Sequence, residues 1–162
     1  MTSTARCGTG LIWLYLAMAA PGFAGQKAGF DLDIELSAKA AAKLRAQKEA
    51  IIVDASYYGD PAPDGEKYAN EVGQIDLGSE RLEIPGRTGK AHITGTGLNS
   101  GRLRLISGPV KVNVNIYSAR KSSTDNLLAC DFIDGELANV TKAPVILRCG
   151  LITERPETVL KP

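Results

Sequence analysis

The segment 59–66 concentrates side chains that could bind a ligand or carry out acid–base chemistry. Its sequence, GDPAPDGE, places Asp60, Asp64 and Glu66 among two prolines and two glycines. The prolines and glycines disfavour regular structure, so an exposed connecting loop is predicted. The tyrosines that border this loop are Tyr57, Tyr58 and Tyr68. Aromatic rings beside acidic groups are typical of surfaces that bind a sugar or a peptide, which makes Tyr58, Asp60 and Asp64 candidate binding residues.

A second polar segment, 118–126, carries the opposite charge. It reads SARKSSTDN, and Arg120 and Lys121 lie three and four residues after Tyr117. Loops that connect regular elements often hold binding residues on a rigid scaffold. Arg120 and Lys121 are therefore the second pair of candidate binding residues.

An enzyme is the alternative interpretation of the acidic loop. The only histidine, His92, could act as a general base with Asp60, Asp64 or Glu66 in a small exported hydrolase, provided that these groups lie within hydrogen-bond reach. The glycine-rich stretch 86–101 matches neither a phosphate-binding loop nor a dinucleotide fingerprint. The carboxylates of 59–66 also lack the rhythm of a calcium-binding loop. No catalytic residue, cofactor or metal site is therefore predicted.

The first 24 residues predict a signal peptide. Arg6 precedes an apolar run over 11–20, and small residues around Ala24 mark a cleavage point. The run is shorter than the roughly 20 residues that a membrane-spanning helix needs. The mature chain is then periplasmic or secreted, with no stable insertion in the membrane. Loss of Arg6 takes the formal charge from +1 to zero, which gives no electrostatic case for nucleic acid as a partner.

Two cysteines remain after cleavage, Cys130 and Cys149. An even pair in an exported chain predicts a disulfide. Cys130 alternates with Leu128 and Phe132, and Cys149 alternates with Leu147. Both sulfurs are therefore expected to point toward the core.

The elements that position these residues are mostly strands. The sequence VKVNVNIY over 110–117 alternates strictly between apolar and polar residues, as does FDLDIEL over 30–36. Apolar runs over 127–133 and 145–152 complete a central strand trio with 110–117. Ser37 is expected to cap a surface helix over 38–48, whose residues are strong helix formers.

Seven to nine short strands separated by turn signals predict a mainly β fold, an antiparallel β-sandwich with one short surface α-helix near the N-terminus. The strand 110–117, with a glycine-led strand upstream, resembles the immunoglobulin- or transthyretin-type sandwiches at the level of architecture. The predicted organisation is a single domain over 25–152, followed by a mobile tail over 153–162.

The composition and motifs favour an exported, non-catalytic module that recognises a protein or a glycan through loops 59–66 and 118–126. Two alternatives stay open beside it: the small hydrolase described above, and a purely structural envelope protein in which only the apolar faces matter.

Overall fold

The computed structural model describes residues 28–161, so the predicted signal peptide lies outside the described residues. The fold is mainly β and contains nine strands in the described range. The strands are β1 (Phe30–Leu36), β2 (Ala50–Pro61), β3 (Ile75–Pro85), β4 (Gly89–Ile93), β5 (Ile106–Ser118), β6 (Leu128–Cys130), β7 (Phe132–Glu136), β8 (Val145–Leu151) and β9 (Leu160–Lys161). The helices are α1 (Ala38–Gln47) and α2 (Leu137–Val140), with short 3-10 helices at Pro63–Tyr68, Ser100–Leu105 and Ile152–Glu154.

The strands form two sheets. Sheet A has the order β4-β1-β8-β6, and sheet B has the order β3-β2-β5-β7-β9. Buried side chains from both sheets belong to one hydrophobic core, for example Leu32 and Ile34 from sheet A and Val53 and Val114 from sheet B. The alternation predicted for 30–36 and 110–117 is confirmed, because their apolar residues are buried, Leu36 only partly, and their polar residues are not.

The expectation of purely antiparallel sheets is wrong. β1 runs parallel to β8, and β7 runs parallel to β9, so both sheets are mixed. A parallel pair cannot be closed by a tight hairpin and needs a long connection. Between β1 and β8 that connection is most of the chain, which crosses to sheet B and returns. An alternating pattern reports which face of a strand is buried, and it carries no signal for strand direction.

The predicted helix is confirmed as α1, with Ser37 at its N-cap. The Ser37 hydroxyl oxygen accepts a hydrogen bond from the backbone N–H of Ala40 at 3.0 Å. The helix buries Ala40 and Leu44 against the core and leaves its basic residues exposed. The second helix, α2, has only four residues and was not predicted from the sequence.

A bulge in β3 sets the faces of its side chains. Residues 75–85 form one strand, which continues through Gly78. The pairing with β2 shifts between Tyr57 and Tyr58, which lie opposite Gly78 and Asp76. The extra residue lets Leu77 face the core while Asp76 points outward. Gly78 makes this possible, because its φ is +102° and an added Cβ would lie 2.3 Å from the carbonyl oxygen of Gly97.

We expect Gly78→Ala to destabilise the fold by about 2 kcal/mol, because it combines a left-handed backbone with a backbone clash. Gly73→Ala is the matched control. Gly73 also has a positive φ, +76°, but nothing lies within 4 Å of an added Cβ. The control should lose only about 1 kcal/mol. Urea denaturation measures both, and equal losses would contradict the role given to the contact with Gly97.

The segment after residue 152 is partly ordered into regular structure. Leu160 and Lys161 form β9 beside β7, and the backbone N–H of Val159 donates to Asp131 Oδ1 at 2.9 Å. Backbone pairing therefore reaches Lys161, while the domain boundary at 152 and the mobility of the tail stay predictions.

Candidate functional site

The two candidate loops lie at opposite ends of sheet B. In the antiparallel pairing of β2 with β5, Ile51 lies opposite Ser118, whereas Pro61 lies opposite Ile106. Ten residues of strand, roughly 30 Å, separate the two ends. The structure therefore does not bring 59–66 and 118–126 together, and a small ligand cannot touch both.

The acidic segment is more regular than a loop. Residues 59–61 belong to the end of β2, and Asp64 and Glu66 lie in the 3-10 helix Pro63–Tyr68. Asp60 forms an ion pair with Lys111, whose Nζ lies 2.7 Å from Asp60 Oδ2. Asp64 is exposed and has no hydrogen-bond partner among the described residues. The prolines and glycines of this segment predicted a loop. The first part of the segment is instead a strand, because it pairs with Ile106 and Ser107 on β5, and the sequence holds no signal for that pairing.

The basic loop 118–126 is held by a buried carboxylate. Glu49, only 4% exposed, accepts hydrogen bonds from the backbone N–H groups of Lys121 and Ser122 and from the Ser122 hydroxyl. It also accepts one from the N–H of Ala50. Burial acts to raise the pKa of Glu49, but these hydrogen bonds outweigh it and lower the pKa to about 2. Glu49 therefore fixes the loop as an anion, a role that no motif in the sequence indicates.

Arg120 and Lys121 remain at the surface of this loop. Arg120 is exposed and adopts a left-handed backbone with a φ of +58°. Lys121 is exposed and forms an ion pair with Glu83 on β3. Neither side chain lines the cleft around Tyr58 that is described below.

His92 lies on sheet A, away from the acidic segment of β2. Its Nδ1 is 2.8 Å from Asp31 Oδ1, on the neighbouring strand β1. Two ion pairs join the outer row of β1 to its neighbours: Asp33 with Lys90 and Glu35 with Arg148. The groups named for the hydrolase alternative are thus not hydrogen-bonded to one another. Within residues 28–161, no group of three His, Cys, Asp or Glu side chains is placed to hold a metal ion.

The predicted disulfide is confirmed, with the Cys130 and Cys149 sulfurs bonded at 2.03 Å. It joins directly opposite residues of β6 and β8 in sheet A. The apolar run 127–133 is split at Asp131, where the chain passes from sheet A to sheet B. The alternation changes phase there, so Ile133 is fully buried and Phe132, expected in the core, is only partly buried.

Asp131 stabilises this crossing. It is 3% exposed and accepts the backbone N–H groups of Arg148 and Val159, while Lys161 Nζ lies 3.5 Å away. Burial alone would raise the pKa of Asp131, but the two hydrogen bonds and the Lys161 charge lower it below its usual value.

A concave site with polar lining surrounds Tyr58 on the outer face of sheet B. This cleft has a volume of about 290 Å³. Its lining residues are Ser56, Tyr57, Tyr58, Asn70, Gln74, Asp76, Asn113 and Asp134. We call it the Tyr58 cleft. Tyr58 is the one candidate from the sequence that lines it.

Sheet register positions the floor of the Tyr58 cleft. Ser56, Asn113 and Asp134 lie directly opposite one another on β2, β5 and β7. Directly opposite residues share one face and lie about 5 Å apart. Asp76 lies opposite Tyr58 on β3 because of the bulge at Gly78. The amides of Asn70 and Gln74 come from the turn that precedes β3.

The Tyr58 side chain crosses β5, since its hydroxyl donates a hydrogen bond to Asp134 Oδ1 on β7. Lys111 Nζ lies 6.0 Å from the centre of the Tyr58 ring. Burial, together with the negative charges of Asp134 and Asp60, raises the pKa of Tyr58 to about 12. Tyr58 is therefore a neutral hydrogen-bond donor at physiological pH.

No protein-family model matches this chain, and neither a curated protein nor a solved structure gives a significant match. Among residues 28–161, no helix has the length and apolar character required to cross a membrane.

Proposed function

We propose that this chain is an exported, non-catalytic binding module for a protein or a glycan, and that the Tyr58 cleft is its binding site. The observation that supports the proposal is the convergence of amide, carboxylate and hydroxyl groups from four strands and a turn onto one concave surface. Ligand sites are typically concave and hold a few convergent polar groups. Export is supported by the disulfide, which persists in oxidising compartments.

The shared core of the two sheets supports a sandwich architecture as part of this proposal. A sandwich of immunoglobulin or transthyretin type would present the outer face of sheet B as a rigid platform. Each floor residue of the cleft is then fixed by backbone pairing, which limits the entropy lost when a ligand binds.

Arg120 and Lys121 define a separate surface in this proposal. They lie at the far end of β2 and β5 from the acidic segment, and the Glu49 hydrogen bonds fix their backbone. A protein partner that covers the whole face of sheet B could reach them, but a ligand confined to the Tyr58 cleft could not.

Capture from fractionated envelope proteins and polysaccharides tests the site. Asn113→Trp should fill the cleft and reduce capture at least tenfold, since Asn113 lies at the centre of its floor. Asn139→Trp is the control, because Asn139 is exposed on α2 and its side chain contacts only Lys142 by hydrogen bond. It should capture as the wild type does.

Alanine variants of the loop residues complete that experiment. Arg120→Ala and Lys121→Ala should leave capture within twofold of the wild type. If these two variants abolish capture while Asn113→Trp does not, the binding site is the basic loop and the proposal for the Tyr58 cleft is wrong.

A further inference from the structure

We infer that the ligand of the Tyr58 cleft is a neutral, polyhydroxylated molecule, a glycan rather than a charged peptide. This inference rests on the proposed function and names its ligand class. Some hydrogen-bonding atoms in the cleft are already paired within the protein. The ligand class follows from the atoms that have no partner among the described residues.

The leftover donors are side-chain amide groups. Asn113 Oδ1 accepts a hydrogen bond from Asn115 Nδ2 at 2.5 Å, which leaves Asn113 Nδ2 without a partner among the described residues. Asn70 Oδ1 likewise accepts the N–H groups of Val72 and Gln74, leaving Asn70 Nδ2 as a donor. An amide nitrogen offers two hydrogens. Both amides are thus oriented by the protein through their oxygens, with their nitrogens left to donate.

The leftover acceptors are carboxylate oxygens. Asp134 Oδ1 accepts from the Tyr58 hydroxyl, and Asp76 Oδ1 accepts the N–H of Gly78 at 2.9 Å. The second oxygen of each carboxylate has no hydrogen-bond partner among residues 28–161. Neither carboxylate forms an ion pair with a described Lys or Arg, because the nearby Lys111 is paired with Asp60.

Unpaired donors and unpaired acceptors of the described residues therefore share one small cleft. A cationic ligand would leave the Asn113 and Asn70 amide hydrogens unmatched, and an anionic ligand would face the Asp76 and Asp134 charges. A hydroxyl group both donates and accepts, so neighbouring hydroxyls on a sugar ring can satisfy an amide and a carboxylate together. A polar group that loses water on binding and gains no partner weakens binding, which gives this match its selectivity.

Titration calorimetry with the chain tests the ligand class. The probes are neutral hexose oligomers, the same oligomers carrying amines, and the same oligomers carrying carboxylates. We expect one or more neutral oligomers to bind, with affinity falling at least tenfold for Asn113→Ala and Asp134→Asn. The carboxylated oligomers should bind at least tenfold more weakly than their neutral counterparts. Asn139→Ala is the matched control and should bind as the wild type does.

The outcomes separate this inference from the proposed function. Capture of a protein that Asn113→Trp abolishes, with no binding of any neutral oligomer, would overturn the glycan inference and leave the binding module standing. Tightest binding of the amine-bearing probes, lost in Asp76→Asn, would overturn it in favour of a cationic ligand. Unchanged binding of neutral oligomers by all cleft variants would overturn both.

Discussion

Glu49→Gln should destabilise the protein by about 3 kcal/mol at neutral pH, a loss measured as a lower midpoint in urea. The buried Glu49 carboxylate accepts four hydrogen bonds, three of which come from Lys121 and Ser122. A glutamine presents one acceptor oxygen and turns its NH₂ toward donors that then have no acceptor. Removal of the charge therefore leaves buried N–H groups unsatisfied.

The same substitution predicts a change in pH dependence. The pKa of Glu49 is about 2 in the folded chain and about 4.5 when unfolded. Because the folded pKa is the lower one, the ionised carboxylate stabilises the fold above pH 4.5, and this stability is lost as pH falls toward 2. The difference in unfolding free energy between wild type and Glu49→Gln should therefore shrink across that window.

Glu83→Gln is the control for Glu49→Gln. Glu83 is about half exposed and pairs with Lys121 at the surface. An exposed ion pair contributes at most about 1 kcal/mol. If the two substitutions cost the same, or if the Glu49 difference does not depend on pH, Glu49 does not hold the loop as described.

Removal of the disulfide by the double substitution Cys130→Ser, Cys149→Ser should cost a similar amount. The cysteines are 19 residues apart, and in the chain-entropy model a loop of that length stabilises the fold by about 3 kcal/mol. The loop also contains α2, β7 and the crossing at Asp131, so both sheets depend on it. Calorimetric melting should show a lower midpoint by roughly 10 °C.

Reduction of the wild-type protein supplies the comparison. Dithiothreitol should lower the melting midpoint of the wild type to that of the double variant and leave the variant unchanged. A wild-type midpoint that dithiothreitol does not change, with free thiols detected under native conditions, would contradict the role assigned to the Cys130–Cys149 bond.

The sequence predicted the parts of the fold that depend on local periodicity. Alternation identified β1 and the 110–117 part of β5, and Ser37 with the alanine-rich stretch identified α1. The disulfide was predictable from its two cysteines, because each of them lies on the apolar face of its run. These features are read from neighbouring residues alone.

The sequence did not predict features set by contacts between distant residues. Apolar residues occupy odd positions up to Leu77 and even positions from Leu82, because the strand continues through a bulge at Gly78. The change of sheet at Asp131 is equally hidden, since its hydrogen-bond partners lie 17 and 28 residues further along the chain. Strand direction depends on the path of the whole chain and leaves no local pattern.

The candidate site was only partly predictable for the same reason. Tyr58 was identified from its aromatic ring beside the acidic segment. Ser56, Asn113 and Asp134 were not, because their register across three strands brings them together. The available signal was the row of polar residues on the outward face of each alternating strand. That row did not show which of these residues would lie next to one another.

Amide chemical-shift mapping by NMR tests the central claim, that the Tyr58 cleft is the binding site. The wild type is titrated with the neutral oligomers described above. We predict that the largest shifts fall on Ser56, Asn70, Gln74 and Asn113, and that Asn113→Trp abolishes them. Shifts concentrated on 119–126, or on sheet A around His92, or no shifts with any oligomer or captured partner, would contradict the account.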